Sequence, residues 1–227
     1  SEMCIETDIN EERLGRIKKR AERLDILNIK TIKNVQDKDY TRFIIDAPCS
    51  GSGTWRRRPD AKFRITPQRL REILGIQAEI LEFGAEHTAA GGRLIYITCS
   101  VLPEANERQI ESFLAKHPEF SPIDHKELWR ETLDIPLYPF DDTRWLKFSP
   151  LNTKTDGFFF CAMKKAVAEI KPKRTMQRDT HRGAGRNLQR YSATLTAMWL
   201  SSFSGLIFCD NFFIPVSYTH LTLPTNS

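Results

Sequence analysis

The sequence predicts an α/β fold with a mostly parallel sheet, because short apolar strand-like runs alternate with long amphipathic segments. Two of these runs, at 43–45 and 94–97, are each followed directly by a cysteine peptide. The first peptide is Asp46-Ala-Pro-Cys-Ser-Gly and the second is Thr98-Cys-Ser. Because the carboxyl ends of parallel strands meet at one edge of an open sheet, we expect the two thiols to lie together there. A nucleophilic site acting on carbon is the first hypothesis.

Capping and turn signals place the other elements. Asn10 is a candidate N-cap for a helix that runs to about Leu24. Thr66-Pro67 opens a long helix to about Ala90, where Gly91-Gly92 is expected to end it. Asp156-Gly157 predicts a hairpin turn, and therefore one antiparallel strand. Strands are predicted at 3–7, 29–32, 42–45, 93–98 and 158–163, with another helix at 103–117 and no clear periodicity at 124–155.

Composition narrows the classes of function. The 227-residue chain is 40% hydrophobic and 28% charged, which is ordinary for a soluble globular protein. Its five cysteines form no CxxC pair and no histidine-rich spacing, so we expect no metal and a reducing cytoplasm. The net charge is +5, but seven Lys and Arg against three Asp and Glu place +4 of it in residues 166–227. Bulk basicity is therefore no argument for nucleic acid, which must rest on local patches.

The chain changes character near residue 165. Residues 1–165 are interpreted as the folded domain, and residues 166–215 as a suspect or disordered tail. The apolar run at 198–209 within this tail is too short to span a bilayer. Residues 216–227 resemble the conceptual translation of a transposase-type sequencing adaptor, and we interpret them as an artefact. The alternative for both segments is a genuine disordered tail.

The motifs of the folded domain occur in a characteristic order. They are Asp46-Ala-Pro-Cys-Ser-Gly-Ser-Gly-Thr-Trp-Arg-Arg-Arg-Pro-Asp60, Gln77-Ala-Glu-Ile-Leu81, Gly91-Gly92, Thr98-Cys-Ser-Val-Leu-Pro-Glu104, Asn106-Glu107 and Asp156-Gly-Phe-Phe159. This series, across roughly residues 3–165, closely resembles the Sun/Nop family of RNA cytosine carbon-5 methyltransferases, most closely the bacterial small-subunit rRNA type. The resemblance implies a Rossmann-like class I methyltransferase fold, S-adenosylmethionine as cofactor, cytoplasmic location, and RNA as partner, with rRNA first and tRNA second.

The resemblance also implies roles for three residues. Carbon 5 of cytosine is a poor nucleophile until a thiolate adds at carbon 6 and forms an enamine. Cys99 would be this nucleophile, and Cys49 would assist product release. Asp46 would hold the pyrimidine edge, the amino group of the cofactor, or both. A free thiol is mostly protonated at neutral pH, so the site must lower its pKa.

Cofactor and RNA contacts are expected on both sides of the cysteine peptides. Asp8, after the first strand, occupies the place of an acid that accepts ribose hydroxyls, and the resemblance supports that role. Asn34, with Gln36 and Asp37 nearby, stands where family members carry an acid near the adenine. The segment at 55–64 has five cations and two aromatics, which suits contact with phosphates and unpaired bases. Its candidate RNA-binding residues are Arg56, Arg57, Arg58 and Lys62; the three arginines could instead lower a thiol pKa.

The largest departure from the family is at the amino terminus. The chain starts at what resembles the second strand, so the first, central strand and its glycine-rich turn are expected to be missing, with the N-terminal RNA-binding domain. Unpaired buried amides cost about 1–3 kcal/mol each. The neighbouring strands are therefore expected to close up or fray, and the chain to be marginally folded and inactive by itself.

Other functions compete with this interpretation. A methyltransferase acting on exocyclic amines needs no nucleophilic thiol. A non-catalytic RNA-binding fragment would keep RNA affinity without binding the cofactor. A thiol redox module would use Cys49 and Cys99 as a reversible disulfide. A cysteine hydrolase needs a positioned histidine, and His87, His117 and His125 have no motif partner.

Overall fold

One large sheet organises the chain. The computed structural model describes residues 3–8, 10–35, 39–133 and 137–167, and the backbone of 193–198, 208–209 and 212–213. Its helices are α1 (Glu11–Arg23), α2 (Pro67–His87), α3 (Glu107–Lys116) and α4 (His125–Thr132). Its strands are β1 (Met3–Thr7), β2 (Ile29–Ile32), β3 (Tyr40–Asp46), β4 (Thr88–Thr98), β5 (Phe120–Pro122), β6 (Leu146–Phe148), β7 (Phe158–Lys165), β8 (Ala193–Met198), β9 (Phe208–Cys209) and β10 (Phe212–Phe213).

The strand order is that of a mixed sheet with a parallel majority. The main sheet runs β2-β1-β8-β3-β4-β7-β5, with β6 also paired to β7, and β9 and β10 form a separate hairpin. All pairings from β2 to β4 are parallel, whereas β7 is antiparallel to β4, β5 and β6. The prediction of a mostly parallel sheet with an antiparallel strand near one edge is confirmed.

Side-chain caps set the starts of α1 and α2, as predicted. Asn10 Oδ1 accepts hydrogen bonds from the backbone N–H groups of Glu12 and Arg13, at 3.0 and 3.3 Å. Thr66 Oγ1 accepts one from the N–H of Arg69 at 3.1 Å. Both caps satisfy amides that lack partners within the first helical turn. The two helices therefore begin where the sequence predicts.

The end of α2 was predicted too late. The Thr88 hydroxyl donates to the Gly84 carbonyl at 2.7 Å, and β4 begins at Thr88, not at Arg93. Gly91 adopts a φ of +76° inside an irregular part of the β3–β4 pairing. The pair Gly91-Gly92 therefore forms a bulge within the strand, where a left-handed backbone favours glycine.

The region without clear periodicity contains regular elements. Asp124 Oδ1 accepts hydrogen bonds from the backbone N–H groups of Lys126 and Glu127 and so begins α4. The predicted hairpin joins β6 to β7. However, its connection spans residues 149–157, and Asp156-Gly157 forms only its last two residues, not a two-residue turn. The short length of these elements explains why periodicity missed them.

A strand occupies the position that was expected to be empty. The backbone of β8 lies between β1 and β3 and is parallel to both. Leu195 is opposite Ile5 on one side and Phe43 on the other. The expectation that the neighbouring strands close up or fray is therefore wrong. Six residues of the segment 166–215 supply the missing pairings, and their threonines suit a strand.

The other sequence-based expectations for the tail lie largely outside the described residues. These include the interpretation of residues 216–227 and of most of 166–215. No helix within the described residues is long and apolar enough to cross a membrane. The same part of the chain contains no group of three or more His, Cys, Asp or Glu side chains able to hold a metal ion.

The core brings β3 and β4 against two helices on one face of the sheet. Ile45 on β3 and Leu94 on β4 are fully buried. Leu81 of α2 and Ile110 of α3 belong to the same apolar cluster. Burial of such side chains contributes about 1.5–3 kcal/mol each. This packing fixes β3 and β4 together and so fixes the loops that follow them.

Glu6 supplies a prediction for stability. Burial raises its pKa from 4.5 to about 8, and its Oε2 has no hydrogen-bond partner within the described residues. Between about pH 4.5 and 8, the folded chain keeps a proton that the unfolded chain loses, so the free energy of unfolding falls as the pH rises. Glu6→Gln cannot ionise. Its stability relative to the parent should rise by about 4 kcal/mol between about pH 5 and 9.

Urea unfolding at several pH values measures this difference. Glu12→Gln is the control, because Glu12 is exposed at the start of α1. The raised pKa of Glu6 is contradicted if the free energy of unfolding of Glu6→Gln, relative to the parent, stays constant with pH or falls toward alkaline pH.

Candidate active site

The two cysteine loops lie side by side beyond the ends of β3 and β4. The parallel pairing of these strands sets Asp46 opposite Ile97, and the N–H of Ala47 donates to the Ile97 carbonyl at 2.9 Å. Past this bond the strands separate into loops. Cys49 Sγ and Cys99 Sγ are 3.2 Å apart, within hydrogen-bond distance for sulfur. The expectation that the two thiols lie together is confirmed.

The hydrogen bond between the two thiols shifts their pKa values in opposite directions. The hydrogen bond from Cys99 lowers the pKa of Cys49, and the same bond together with burial raises the pKa of Cys99. The negative charge of Asp46 raises both thiol pKa values. Removal of one proton from the pair is therefore easier than from an isolated buried thiol, whereas loss of the second proton is strongly opposed. Either sulfur can donate the hydrogen bond between them, so the shared proton can lie on Cys49 or on Cys99, the nucleophile that the resemblance implies.

Two acids stand at the same edge of the sheet. Burial, together with the negative charge of Asp8, raises the pKa of Asp46 from 3.8 to about 7, and Arg13 opposes this shift. The Asp8 side chain is fully buried, accepts a hydrogen bond from the N–H of Asn10 at 2.7 Å, and lies 3.7 Å from the Arg13 guanidinium. The sheet thus gathers Asp8, Asp46 and the cysteine pair into one electrostatically coupled group.

Asn34 is placed differently from these acids. It follows β2, next to the strand that ends at Asp8, but its side chain is exposed. Nearby, the Thr7 hydroxyl donates to the Lys33 carbonyl at 3.2 Å, which holds this end of β2 to β1. Gln36 and Asp37, the alternatives for an adenine contact, lie outside the described residues.

Backbone hydrogen bonds join three loops at the site. The N–H of Gly53 donates to the Cys99 carbonyl at 3.0 Å, and the N–H of Gly157 donates to the Gly53 carbonyl at 2.9 Å. A Cβ atom at Gly53 would lie only 1.9 Å from the Gly157 carbonyl oxygen. Glycine is therefore required at position 53 by the close approach of two backbones, which gives the Asp156-Gly157 motif a part in the site.

Two buried polar residues, Asn106 and Gln77, donate hydrogen bonds to the backbone of the cysteine loops. Thr98 Oγ1 donates to Asn106 Oδ1 at 2.6 Å, and Asn106 Nδ2 donates to the Ser100 carbonyl at 2.8 Å. Gln77 Nε2 donates to the Pro48 carbonyl at 2.7 Å. The sequence motifs did not predict these roles for Asn106 and Gln77. For Gln77 a signal was present, because it is the polar member of a buried i, i+4 series with Ile73 and Leu81 on α2.

The basic segment, residues 55–64, contains two arginines in ion pairs and other side chains that are exposed. Arg56 Nη2 and Arg57 Nε approach the two carboxylate oxygens of Asp156, at 3.3 and 2.5 Å. The Asp156 side chain is only 10% exposed, so these pairs anchor the segment to the site. Arg58 is exposed, and so is Phe63, with the Lys62 ammonium 4.8 Å from its ring centroid. The lowered pKa of Cys49 comes from Cys99, not from these arginines.

The part of the chain that holds the site is similar to known proteins. The family model "16S rRNA methyltransferase RsmB/F" matches residues 2–164. The ribosomal RNA small subunit methyltransferase B of Yersinia pseudotuberculosis serotype O:1b (strain IP 31758) is 37% identical over 122 residues. This alignment covers 51% of the chain and 28% of the relative, so the chain spans much less than the length of that protein.

Solved structures share the fold. The crystal structure of PH0851 superposes with a TM-score of 0.62 at 29% identity, covering 72% of this chain and 37% of that one. NSun6 from Pyrococcus horikoshii, solved with SFG, gives a TM-score of 0.60 at 21% identity, covering 72% of this chain and 41% of that one. The predicted Rossmann-like fold is confirmed by these likenesses.

The charge of Asp46 should control thiol reactivity. Asp46→Asn removes a negative charge that raises both thiol pKa values, so the pH profile of alkylation should move to lower pH. The rate with iodoacetamide at Cys49 and Cys99, followed by mass spectrometry, measures the shift, which is largest above about pH 7, where Asp46 is ionised. Asp60→Asn is the control, because Asp60 is exposed and pairs with Arg64. An unchanged profile, or one moved to higher pH, contradicts the coupling.

Proposed function

The chain belongs to the RsmB/F family of 16S rRNA methyltransferases, and on that basis we propose that it methylates carbon 5 of a cytosine in RNA, with rRNA the first candidate and tRNA the second. The methyl donor in this proposal is S-adenosylmethionine. The single observation that carries the proposal is the pair of sulfur atoms 3.2 Å apart at the carboxyl ends of two parallel strands. Methyl transfer to an exocyclic amine would need neither sulfur.

The reaction makes two demands that the sulfur pair can meet. Carbon 5 becomes nucleophilic only after a thiolate forms a bond to carbon 6, and that bond must later break when carbon 5 loses its proton. In the proposal Cys99 forms the bond to carbon 6. The Cys99 thiolate forms when Cys99 gives up its proton, to the Cys49 sulfur 3.2 Å away when Cys49 is ionised and otherwise to solvent.

Cys49 then acts in product release. Once Cys99 is bonded to carbon 6, it no longer donates a hydrogen bond to Cys49, and Cys49 must lose its proton to solvent before it can act as a base. Its sulfur stays beside the new carbon–sulfur bond because the loops are held together by backbone bonds. The Cys49 thiolate then takes the proton from carbon 5, and the freed electron pair restores the aromatic ring and expels Cys99 as a thiolate.

The acids fit the polar groups of the proposed methyl donor. S-adenosylmethionine supplies an electrophilic methyl group and carries ribose hydroxyl and amino donors. In the proposal Asp8, at the end of β1, accepts from ribose hydroxyls as in other nucleotide-binding α/β folds, which requires the residues that bury its side chain to move. Asp46, half protonated near pH 7, can accept from an amino group or donate to a ring nitrogen of the base. Asn34, exposed beside this edge, is the proposed neighbour of the adenine.

RNA contact is proposed for the exposed side chains of the basic segment. Arg58 and Lys62 are exposed and suit phosphate oxygens, whereas Phe63, 80% exposed, offers a face for an unpaired base. Arg56 and Arg57 both pair with the single carboxylate of Asp156, which fixes their positions but compensates only one of their two charges. Their contribution is therefore to hold the segment beside the cysteine pair, with any phosphate contact secondary.

One observation favours a second function. Two sulfur atoms at 3.2 Å can form a disulfide after a small movement, which is what a thiol redox module requires. The histidines do not favour a hydrolase, since His125 is buried between the Thr143 carbonyl and the Ala162 amide, and His117 lies between Glu82 and Glu119. The methyltransferase proposal is preferred because it also uses Asp46 and Asp8.

A covalent trap tests the proposed reaction. The chain, expressed with any coding sequence that flanks it in the genome, is incubated with S-adenosylmethionine and small-subunit RNA containing 5-fluorocytosine. Fluorine at carbon 5 cannot leave as a proton does, so the bond from Cys99 to carbon 6 persists and the adduct withstands denaturing electrophoresis. Cys99→Ala should lose the adduct, whereas Cys49→Ala should keep it and also accumulate adduct on ordinary RNA.

Cys161→Ala is the matched control, because Cys161 is buried in the core on β7 and should not be needed. An adduct that survives Cys99→Ala, or one that requires only Cys49, overturns the assignment of the two sulfurs.

A further inference from the structure

Three buried serines connect the cysteine loops. Ser50 and Ser52 lie in the loop after β3, and Ser100 follows Cys99 in the loop after β4. The Ser50 hydroxyl donates to Ser52 Oγ at 3.0 Å, and both oxygens lie within hydrogen-bond distance of Ser100 Oγ, at 2.9 and 3.2 Å. These three oxygens form a closed triangle, which we call the serine ring. The exposed fraction of each residue is 8% or less.

Proton counting fixes the direction of every bond in the serine ring. A hydroxyl has one proton to donate and two lone pairs that accept. Since Ser50 donates to Ser52, Ser100 must donate to Ser50, and Ser52 must therefore donate to Ser100. The three bonds run in one sense around the ring.

Backbone amides occupy the remaining lone pairs. The N–H of Ser52 donates to Ser50 Oγ at 3.2 Å, that of Val101 to Ser52 Oγ at 3.0 Å, and that of Leu102 to Ser100 Oγ at 3.1 Å. Each oxygen thus donates once and accepts twice. Every hydrogen-bonding capacity of the ring is used within the protein, so loss of one hydroxyl leaves groups on both loops unsatisfied.

The serine ring lies where the sheet can no longer fix the distance between the loops. The last backbone bond of the strand ladder joins Ala47 to Ile97, before the two cysteines. Beyond them, the Gly53 N–H bond to the Cys99 carbonyl and the serine ring close the gap again. Cys49 and Cys99 are therefore held between two sets of cross-links, one from the sheet and one from side chains.

We propose that the hydroxyls of Ser50, Ser52 and Ser100 are positioning groups that set the distance between the Cys49 and Cys99 sulfurs. Their hydrogen bonds go to one another and to backbone amides, so they act through the backbone of the residues that follow each cysteine. The benefit to catalysis rests on the proposed function, since that reaction needs both sulfurs at one carbon–carbon bond. The distance itself is a property of the chain and can be measured without RNA or methyl donor.

The test measures how readily the two sulfurs meet. In glutathione buffers the Cys49 and Cys99 thiols exchange with oxidised glutathione, forming one protein disulfide and two molecules of reduced glutathione. Mass spectrometry of proteolytic peptides gives the fraction joined as Cys49–Cys99, and hence the equilibrium constant. Ser50→Ala and Ser100→Ala should each lower this constant about tenfold. The double variant should fall little further, because one loss already opens the ring.

Thr54→Val is the matched control. The Thr54 hydroxyl is buried and donates to the Gly51 carbonyl at 2.9 Å, within the same loop but without crossing to the other. It should leave the constant within about twofold of the parent while lowering the thermal midpoint as the serine variants do. If Ser100→Ala does not fold by circular dichroism, Ser50→Ala is judged by the same criterion.

Two results overturn the proposal. One is a constant within about twofold of the parent in the folded serine variants, and the other is an equal fall in Thr54→Val. Neither depends on methyl transfer, so absence of the RNA adduct would count against the proposed function and leave the positioning role standing.

Discussion

The parallel alignment of β3 with β4 is the constraint on which the rest of the site depends. Because Asp46 lies opposite Ile97, β3 and β4 end at the same edge of the sheet and at neighbouring positions in the register. Cys49 follows Asp46 by three residues and Cys99 follows Ile97 by two, which brings the two sulfur atoms into contact. Buried apolar residues on both strands, among them Ile45 and Leu94, hold this alignment against slippage.

Polar groups then refine what the sheet only approximates. The loops lie beyond the ladder, where backbone pairing stops, and their shape depends on side chains that replace it: Asn106 behind Cys99, Gln77 behind Cys49, and the serine ring between them. A buried polar network of this kind is costly when incomplete and rigid when complete. The result is a dithiol pair in which loss of one proton strongly opposes loss of the other, beside an acid with a pKa of about 7.

How much of this could be predicted depended on the range of the signal. The caps at Asn10 and Thr66 are local, and so were predictable; the strand ends before Cys49 and Cys99 follow from short apolar runs. The bulge at Gly91 was missed because a glycine pair also ends helices, and only pairing with β3 distinguishes the two cases. The position of β8 depends on an unfilled place between two other strands, which no local pattern encodes. The ion pairs of Asp156 join residues a hundred positions apart and were equally hidden.

The most direct measurement of the central claim uses a trivalent arsenical, phenylarsine oxide, which binds two facing thiols at once and releases one molecule of water. If the sulfurs of Cys49 and Cys99 face each other as described, one equivalent should protect both from alkylation together, and Cys49→Ala should remove the protection of Cys99. Alkylation of Cys99 at the same rate with and without the arsenical, in the parent chain, would contradict the account.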